Sequence, residues 1–356
     1  MTAYRVVVTA GDGVGPEVAA QAVRVLEAVG ARLGIDFTFE DALLGGVAID
    51  RTGVPLPDAT LEACRSASAV FLGAVGGPKW DKGPGHLRPE KGLLALRKGL
   101  DLYANLRPVK TAPELAAVSP LKAERLAGVD IMVVRELTGG IYFGKRERTD
   151  TAAFDTCEYT VAEIERVCRA AGQLARQRRG KVTSVDKANV LDTSRLWRDT
   201  ATRVFADEFP ELTVEHLLVD AAAMHLLSRP ADFDVMVTEN MFGDILTDEA
   251  SMLAGSMGLL PSASLSDGGP ALYEPIHGSA PDIAGKGVAN PCGAILSAAM
   301  LLRYTCGSER GAAAVEDAVA RTIADGIRTR DIAPSGTTGA VGTEAFGTAV
   351  IERLAL

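Results

Sequence analysis

The sequence predicts an α/β protein, because short apolar segments rich in β-branched residues alternate with longer segments of helical periodicity. Its 356 residues are more than one hydrophobic core usually serves, which predicts two domains. Hydrophobic residues make up 47% of the chain and charged residues 23%, as in ordinary globular α/β proteins. No internal repeat or low-complexity segment interrupts this pattern.

The predicted elements follow one another in strand–helix order. The first strand covers residues 4–10, and Pro16 then suits the first turn of a helix. Gly30 and Gly34 are placed to end that helix, whose apolar residues recur at helical spacing: Val18, Ala22, Val25, Leu26 and Val29. The remaining predicted strands lie at residues 35–40, 69–74, 131–134, 182–185 and 235–238.

Charge and cysteine content restrict the partners of the protein. The net charge is −9 and no basic stripe is present, whereas binding to a nucleic-acid backbone needs clustered Lys and Arg. The five cysteines are odd in number and form no C-x-x-C pair, as expected of reduced thiols in a cytosol. The sequence also lacks a signal peptide and a membrane-spanning segment. We therefore expect a cytoplasmic protein with no nucleic-acid or membrane partner.

The glycines after the first strand invite comparison with a dinucleotide-binding fingerprint. A G-x-G-x-x-G pattern that began at Gly11 would continue with Gly13 and place its third glycine at position 16. That position holds Pro16. The sequence therefore predicts a tight strand-to-helix turn here, and not an orthodox Rossmann pyrophosphate site.

A pair of carboxylates suggests a metal site. Asp244 and Asp248 follow a predicted strand, and a spacing of four residues puts both on one helix face. A divalent cation would relieve their repulsion, and oxygen ligands favour Mg²⁺ or Mn²⁺ over zinc. The alternative is an acidic helix start that is stabilised by the helix dipole. Asp220 is a third candidate ligand, or else a helix N-cap.

Three arginines lie in apolar surroundings, namely Arg97, Arg107 and Arg135. A buried arginine is costly unless it is paired with an anion, and a guanidinium can hold a carboxylate through two parallel hydrogen bonds. A small polycarboxylate ligand would account for all three. The alternative is that each arginine pairs with an internal Asp or Glu.

Lys187 and Tyr142 are candidates for proton transfer. Lys187 lies at the carboxyl end of a predicted strand, which is where the active sites of open α/β sheets occur. A lysine held away from water can take a proton near neutral pH. Tyr142 lies in a glycine-rich loop, where its phenol could donate a proton. The alternatives are a salt-bridged lysine and a packed aromatic ring.

The segment from Glu274 to Gly293 is typical of a ligand-binding loop. Its glycines allow the backbone to approach a ligand closely, and His277 adds a polar ring. Asn290 followed by Pro291 predicts a helix N-cap and first helical position. Asp282 could accept hydrogen bonds from ribose hydroxyls and would repel a 2′-phosphate, which favours NAD over NADP. The alternative is an ordered surface loop.

In this order along the chain, these segments resemble the isocitrate/isopropylmalate dehydrogenase family, whose members are metal-dependent decarboxylating dehydrogenases of 2-hydroxy acids. The resemblance extends from Gly-Asp-Gly-Val-Gly-Pro near the start to Gly-Thr-Glu-Ala-Phe near the end. It implies a two-domain isopropylmalate dehydrogenase-like α/β fold with a central cleft, distinct from an orthodox Rossmann fold. The first domain would hold residues 1–102 and 255–356. The second domain would hold residues 103–254 and would form the interface of a homodimer.

Within the family, the segment from Glu90 to Arg97 looks like the isopropylmalate type. There Leu93 and Leu94 would contact the isopropyl group and Glu90 would approach the nicotinamide, whereas the isocitrate type carries a serine-containing motif that is absent here. The resemblance therefore implies NAD-dependent oxidative decarboxylation of 3-isopropylmalate. Oxidation of tartrate or D-malate is the alternative within the family. A non-catalytic metal-binding scaffold and a hydrolase that uses the carboxylates are alternatives outside it.

The resemblance also assigns roles. Asp220, Asp244 and Asp248 would hold Mg²⁺ or Mn²⁺, and the three arginines and Glu90, Leu93 and Leu94 would bind the substrate. Lys187 would take the hydroxyl proton and Tyr142 would protonate the enol carbon, with Lys187 and Asp220 supplied by the partner subunit. The implied NAD-binding residues are Glu274, His277, Gly278, Ser279, Ala280, Pro281, Asp282, Ile283 and Asn290.

Overall fold

The computed structural model describes residues 3–82, 85–334, 336 and 338–356. Its strands are β1 (Ala3–Gly11), β2 (Asp36–Asp41), β3 (Ala69–Ala74), β4 (Ala104–Lys110), β5 (Asp130–Glu136), β6 (Arg146–Arg148), β7 (Ala153–Asp155), β8 (Lys181–Asp186), β9 (Thr213–Leu218), β10 (Val235–Thr238), β11 (Pro261–Leu265) and β12 (Ala271–Pro275). Its helices are α1 (Gly15–Leu33), α2 (Gly46–Thr52), α3 (Asp58–Arg65), α4 (Pro89–Gly99), α5 (Ala123–Leu126), α6 (Val161–Arg176), α7 (Asp192–Glu208), α8 (Val219–Ser228), α9 (Asn240–Ala254), α10 (Cys292–Tyr304), α11 (Glu309–Ala324) and α12 (Thr343–Glu352).

The elements form two compact units, Met1–Leu102 with Gly255–Leu356, and Tyr103–Ala254. In the first unit the strand order is β2-β1-β3-β12-β11, parallel except that β11 runs antiparallel to β12. In the second unit the order is β4-β5-β10-β8-β9, parallel except that β4 runs antiparallel to β5. The α/β class is confirmed, and neither order is that of an orthodox Rossmann domain.

The first strand and helix form as the apolar pattern predicts. The helix positions predicted to face the core are buried: Val18, Ala22, Val25, Leu26 and Val29. Gly34 ends α1 in the left-handed conformation at φ 69°, where glycine carries no steric cost. Gly30 does not end the helix, which corrects that prediction. It lies buried within α1, where a Cβ atom would come within 2.6 Å of the Ile35 carbonyl oxygen, so packing explains the glycine.

The six predicted strands are all present, whereas β4, the short hairpin strands β6 and β7, β9, β11 and β12 escaped prediction. β4 contains Arg107 and Pro108, and β11 consists mostly of small and polar residues. Their strand conformation comes from pairing with β5 and β12, which periodicity along the chain does not register. No helix among the described residues is long and apolar enough to cross a membrane.

β1 is followed by a tight turn into α1, as the sequence predicts, and Asp12 lies in this turn. A Cβ atom on Gly11 would lie 1.9 Å from the Ala74 carbonyl oxygen, so the backbone at Gly11 and the end of β3 approach too closely for any side chain. The buried Asp12 carboxylate accepts three backbone N–H groups, from Gly46 at 2.8 Å, Val47 at 2.7 Å and Gly76 at 2.9 Å. One side chain thus ties three loops of the first unit together.

We expect Asp12→Ala to lower the free energy of unfolding by about 3 kcal/mol, because it leaves these buried donors without their charged acceptor. The shift of the urea midpoint measures this change. Asp36→Ala, at an exposed carboxylate on β2, is the matched control and should shift the midpoint little. Equal shifts for the two variants would show that the three hydrogen bonds do not stabilise the turn.

Candidate functional site

The two aspartates predicted to bind metal lie on one face of α9, next to Arg107 of β4. The distances are 3.6 Å from Asp244 Oδ1 to Arg107 Nη2 and 3.6 Å from Asp248 Oδ1 to Arg107 Nη1. Burial raises the pKa of Asp248, Arg107 lowers it, and the neighbouring charge of Asp244 raises it further. The two carboxylates therefore repel each other, and a bound cation would relieve that repulsion.

Arg135 and Tyr142 converge on the same aspartate. Arg135 is 2% exposed at the end of β5 and donates through Nη1 to Asp244 Oδ1, while the Tyr142 hydroxyl donates to Asp244 Oδ2 at 2.9 Å. Burial, with the charge of Asp244, raises the pKa of Tyr142 to about 12. The phenol therefore keeps its proton at neutral pH, as a proton donor must.

Tyr142 owes its position to the glycine turn that precedes it. Cβ atoms on Gly139 and Gly140 would lie 2.6 Å and 2.5 Å from the Tyr159 side chain, so only glycine allows this ring to pack against the turn. The buried Glu136 carboxylate accepts the backbone N–H groups of Thr138 and Gly139, each at 2.8 Å. Burial raises the pKa of Glu136. These contacts fix the start of the loop that carries Tyr142.

Lys187 and Asp220 form a separate pair in the same unit. Lys187 follows the last residue of β8, as predicted, and its Nζ lies 2.6 Å from Asp220 Oδ1. The hydrogen bond from Lys187 lowers the pKa of Asp220. Asp220 lies in the first turn of α8, which begins after Leu218, so the alternative of an N-cap is wrong.

The donor atoms suit a hard divalent cation, because Asp244 and Asp248 present only carboxylate oxygens. Across the described parts of the chain, no three His, Cys, Asp or Glu side chains are grouped so that they could hold a metal ion. Asp220 therefore does not complete a three-carboxylate group with Asp244 and Asp248 within one chain.

In the first unit, α4 carries the residues predicted to bind the substrate side chain. Glu90 is exposed, and Leu93 and Leu94 are half-buried. Leu93 also packs against the apolar core that contains Leu72 and Leu96, so part of its role is structural. Leu94 follows Leu93 in the middle of α4 and leaves part of its apolar side chain accessible.

Arg97 and Glu274 form a buried ion pair, with Arg97 Nη2 2.8 Å from Glu274 Oε1 and side-chain exposures of 10% and 11%. Glu274 lies near the carboxyl end of β12 and was predicted to bind the cofactor, while Arg97 was predicted to bind the substrate. The structure joins the two. This is the internal pairing that the sequence left open as the alternative for each arginine, and it gives Glu274 a role in holding Arg97.

The predicted cofactor loop follows β12 and is fastened to the start of α1. The Val14 N–H donates to the Ser279 carbonyl oxygen at 2.8 Å, and the Glu17 carboxylate accepts the N–H groups of Gly285 and Gly287. Ala280 adopts a positive φ of 39°, which is rare for a residue with a side chain. The described part of the loop is therefore held by its neighbours in a defined shape.

Polar groups in this loop are arranged as follows. The ring of His277 makes a 2.9 Å contact from Nδ1 to the Gly278 carbonyl oxygen, and burial lowers its pKa, so the imidazole is neutral at pH 7. Asp282 and Pro281 are exposed, Ile283 is half-buried and Ser279 is buried. An exposed carboxylate at position 282 is accessible to a ribose.

Asn290 and Asp331 show a contact that the sequence did not reveal. Asn290 Nδ2 donates to Asp331 Oδ2 at 2.9 Å, and Ser256 Oγ donates to the same oxygen at 2.5 Å. Helix α10 begins at Cys292 with Pro291 as its N-cap, one residue later than predicted. Asn290 still accepts the Cys292 N–H at 3.0 Å, so its capping function is retained. Forty-one residues separate Asn290 from Asp331, and no sequence motif connects them.

Comparison with known proteins identifies the family. The family model described as isocitrate/isopropylmalate dehydrogenase matches residues 5–350. The chain belongs to the isocitrate/isopropylmalate dehydrogenase family. A 3-isopropylmalate dehydrogenase of Geobacillus kaustophilus is 62% identical over 338 residues, covering 94% of this chain and 91% of the relative. One of Rhodopirellula baltica is 56% identical over 354 residues, covering 98% and 99%.

Solved structures of the isocitrate/isopropylmalate dehydrogenase family share the fold. An isocitrate dehydrogenase of Methylococcus capsulatus is 36% identical with a TM-score of 0.87, covering 99% of each chain. A β-decarboxylating dehydrogenase of Thermococcus kodakarensis is 37% identical with a TM-score of 0.80, covering 99% of this chain and 96% of that one. The predicted family and fold are confirmed. Membership implies a dehydrogenase that acts with a nicotinamide cofactor and a divalent metal.

Proposed function

We propose that the chain catalyses the NAD-dependent oxidative decarboxylation of (2R,3S)-3-isopropylmalate to 4-methyl-2-oxopentanoate and CO₂, a step of leucine biosynthesis. The observation that carries the proposal is the cluster in which Arg107, Arg135 and Tyr142 surround Asp244. It combines anion binding, an oxygen-only cation site and a neutral proton donor. Relatives that are 56–62% identical over nearly the whole chain carry the matching name.

The second unit supplies groups for each chemical step. Arg107 and Arg135 bind the carboxylates of the malate, and Lys187 takes the proton of its hydroxyl group. When bound beside Asp244 and Asp248, Mg²⁺ or Mn²⁺ would polarise the hydroxyl oxygen and stabilise negative charge on it, and NAD would accept the hydride. The β-keto acid then loses CO₂, and Tyr142 donates its proton to the carbon that carried the lost carboxylate.

The first unit supplies substrate and cofactor recognition. Leu93 and Leu94 contact the isopropyl group, and Glu90 lies toward the nicotinamide. An apolar surface at this position disfavours malates with a further carboxylate, because that charge would lose its hydration without gaining a partner. Arg97, held by Glu274, adds a guanidinium for the substrate. His277, Gly278, Ser279, Ala280, Pro281, Asp282, Ile283 and Asn290 form the NAD-binding loop.

We propose further that the protein acts as a homodimer through α8 and α9 of the second unit. Large apolar side chains are exposed there: Met224 at 68%, Leu227 at 44%, Ile245 at 59% and Met252 at 43%. Several exposed large apolar side chains on two packed helices are typical of a protein interface. In such a dimer, Lys187 and Asp220 would complete the partner's site, which fits the partial ligand set within one chain. Sedimentation at micromolar concentration tests the dimer, and a monomer alone would contradict it.

The substrate is tested by NADH absorbance with a panel of acids: 3-isopropylmalate, D-malate, tartrate and isocitrate, each with Mn²⁺ and NAD. We expect strong turnover on 3-isopropylmalate and weak turnover on the others. Preferred turnover on a different acid would retain the family chemistry and refute the roles of Leu93 and Leu94. No turnover on any acid would refute the enzymatic proposal.

Cofactor choice gives a separate prediction. Asp282→Ala should lower kcat/KM for NAD by roughly tenfold to a hundredfold, since it removes the hydrogen bonds to the ribose, and should lower kcat/KM for NADP less or not at all. Initial rates with both cofactors measure this. Asp41→Ala, at an exposed aspartate of the same unit, is the control. An equal loss with both cofactors would contradict the role of Asp282 in discrimination.

A further inference from the structure

Two buried asparagines in the second unit accept hydrogen bonds from the guanidinium groups of Arg107 and Arg135. Arg107 Nε donates to Asn105 Oδ1 at 2.8 Å. Arg135 donates to Asn240 Oδ1 from Nε at 3.1 Å and from Nη2 at 2.8 Å. Asn105 and Asn240 are 0% and 1% exposed. Arg107 Nη1 meets another neutral oxygen, Thr247 Oγ1, at 2.6 Å. Neutral acceptors therefore orient both guanidinium groups.

These amides are held in place by the structure around them and cannot easily turn away. Asn105 stands opposite Arg135 in the antiparallel register of β4 and β5. Asn240 begins α9 directly after β10, donates through Nδ2 to the Gly139 carbonyl oxygen at 3.1 Å, and donates its backbone N–H to the Tyr159 hydroxyl at 2.9 Å. Because the Nδ2 group faces a carbonyl oxygen, the Oδ1 atom must face Arg135. Asn240 thus links Arg135 to the turn that leads to Tyr142.

Other arginines of this unit donate from Nε to a carboxylate, whereas Arg107 and Arg135 donate from Nε to an amide oxygen. Arg178 binds Asp234 at 2.8 Å and Asp130 at 2.7 Å, and Arg198 binds Asp186 at 2.8 Å. An aspartate would form stronger hydrogen bonds to a guanidinium than an asparagine does. The amides beside Arg107 and Arg135 therefore form weaker hydrogen bonds to the guanidinium groups than carboxylates would, but they place no negative charge next to them.

Charge balance shows why this matters. Among Arg107, Arg135, Asp244 and Asp248 the charges balance, so a divalent cation at the aspartates would give these four side chains an excess of two positive charges. The buried Glu239 also interacts with Arg135, but burial raises its pKa and so favours its uncharged form. A malate carries two carboxylates, which match that excess. An aspartate at position 105 or 240 would accept the same hydrogen bonds from the arginines and remove half of it. At position 240 it would also lose the hydrogen bond to the Gly139 carbonyl oxygen, so Asn105→Asp is the cleaner of the two changes.

We propose that Asn105 and Asn240 are positioning residues whose neutrality reserves the charges of Arg107 and Arg135 for the carboxylates of the substrate. The inference rests on the proposed function for the identity of the substrate. It makes a prediction that simple structural damage does not: a carboxylate at either position weakens anion binding while it strengthens, or leaves unchanged, cation binding.

The test uses Asn105→Asp and Asn240→Asp, each checked for cooperative thermal unfolding, with Gln173→Glu on the exposed face of α6 as a control that adds the same charge. Two quantities are measured: the Kd of Mn²⁺ alone, by electron paramagnetic resonance, and the KM and kcat for 3-isopropylmalate at saturating Mn²⁺. We expect KM to rise roughly tenfold to a hundredfold in both variants, kcat to change less, and the Kd of Mn²⁺ to fall or stay constant. Gln173→Glu should change neither.

The outcomes separate the two proposals. If the wild-type protein turns over no 3-isopropylmalate, the proposed function fails, whatever the Mn²⁺ titrations show. If the wild-type protein is active and both Asp variants keep KM within twofold, the inference about the asparagines fails alone. A weaker affinity for Mn²⁺ together with a higher KM also overturns it, because loss of both ligands indicates a distorted site. If one variant does not fold, the other still decides the question.

Discussion

Lys187→Met is expected to lower kcat for 3-isopropylmalate by roughly 10²- to 10⁴-fold, which is the usual contribution of a general base. Methionine retains most of the aliphatic stem and cannot accept a proton. Asp220 loses its 2.6 Å partner, but its side chain is 63% exposed, so the loss of this ion pair changes stability little. Steady-state NADH formation measures the effect.

A matched control for this variant lies at the other end of the same strand. Lys181 begins β8 and forms a comparable pair with Glu215 at 3.0 Å, remote from the residues assigned to proton transfer. Lys181→Met should therefore leave kcat near that of the wild type. If Lys187→Met also retained kcat within about threefold, Lys187 would not be the base and the alternative of a salt-bridged surface lysine would stand.

Tyr142→Phe should lower overall turnover by roughly 10²-fold or more and should impair decarboxylation more than hydride transfer. The phenol donates to Asp244 Oδ2 at 2.9 Å, and its raised pKa of about 12 makes it a neutral donor over the whole working range of pH. Phenylalanine fills the same space without the proton. Single-turnover measurements that follow NADH and CO₂ separately would show CO₂ release lagging behind NADH.

Equal slowing of both partial reactions would contradict this division of roles and would place Tyr142 in substrate binding instead. Tyr4→Phe is a suitable control, because the Tyr4 hydroxyl donates to the Cys306 carbonyl oxygen at 3.3 Å, in the first unit and away from the residues assigned to proton transfer. That variant should show the two partial reactions in the wild-type proportion.

Much of the fold follows from local pattern, and the limits of that pattern are physical. The runs of β1, β3, β5, β8 and β10 are buried on both faces, so they appear in the sequence as short, largely apolar segments without alternation. β4 carries Arg107 because one of its faces lines the candidate site. The charged Arg107 and the following Pro108 therefore interrupt the apolar pattern of this strand.

The candidate site could be predicted in part. The spacing of Asp244 and Asp248 is local, so the predicted placement of both on one helix face could be made from the sequence. The partners of the arginines are not local: Glu274 lies 177 residues from Arg97, and Asn240 lies 105 residues from Arg135. An asparagine beside a strand end is also an ordinary turn residue, so its role emerges only when the strands pair. The roles of the individual site residues remain predictions.

The most direct test of the proposed reaction is the stoichiometry of NADH and CO₂ formed by the purified protein from a limiting amount of 3-isopropylmalate with NAD and Mn²⁺. Oxidative decarboxylation predicts equal amounts of NADH and CO₂, each equal to the substrate consumed, and no product of either kind when a chelator removes the metal. NADH without CO₂, turnover unaffected by the chelator, or no NADH at all would contradict the proposed function.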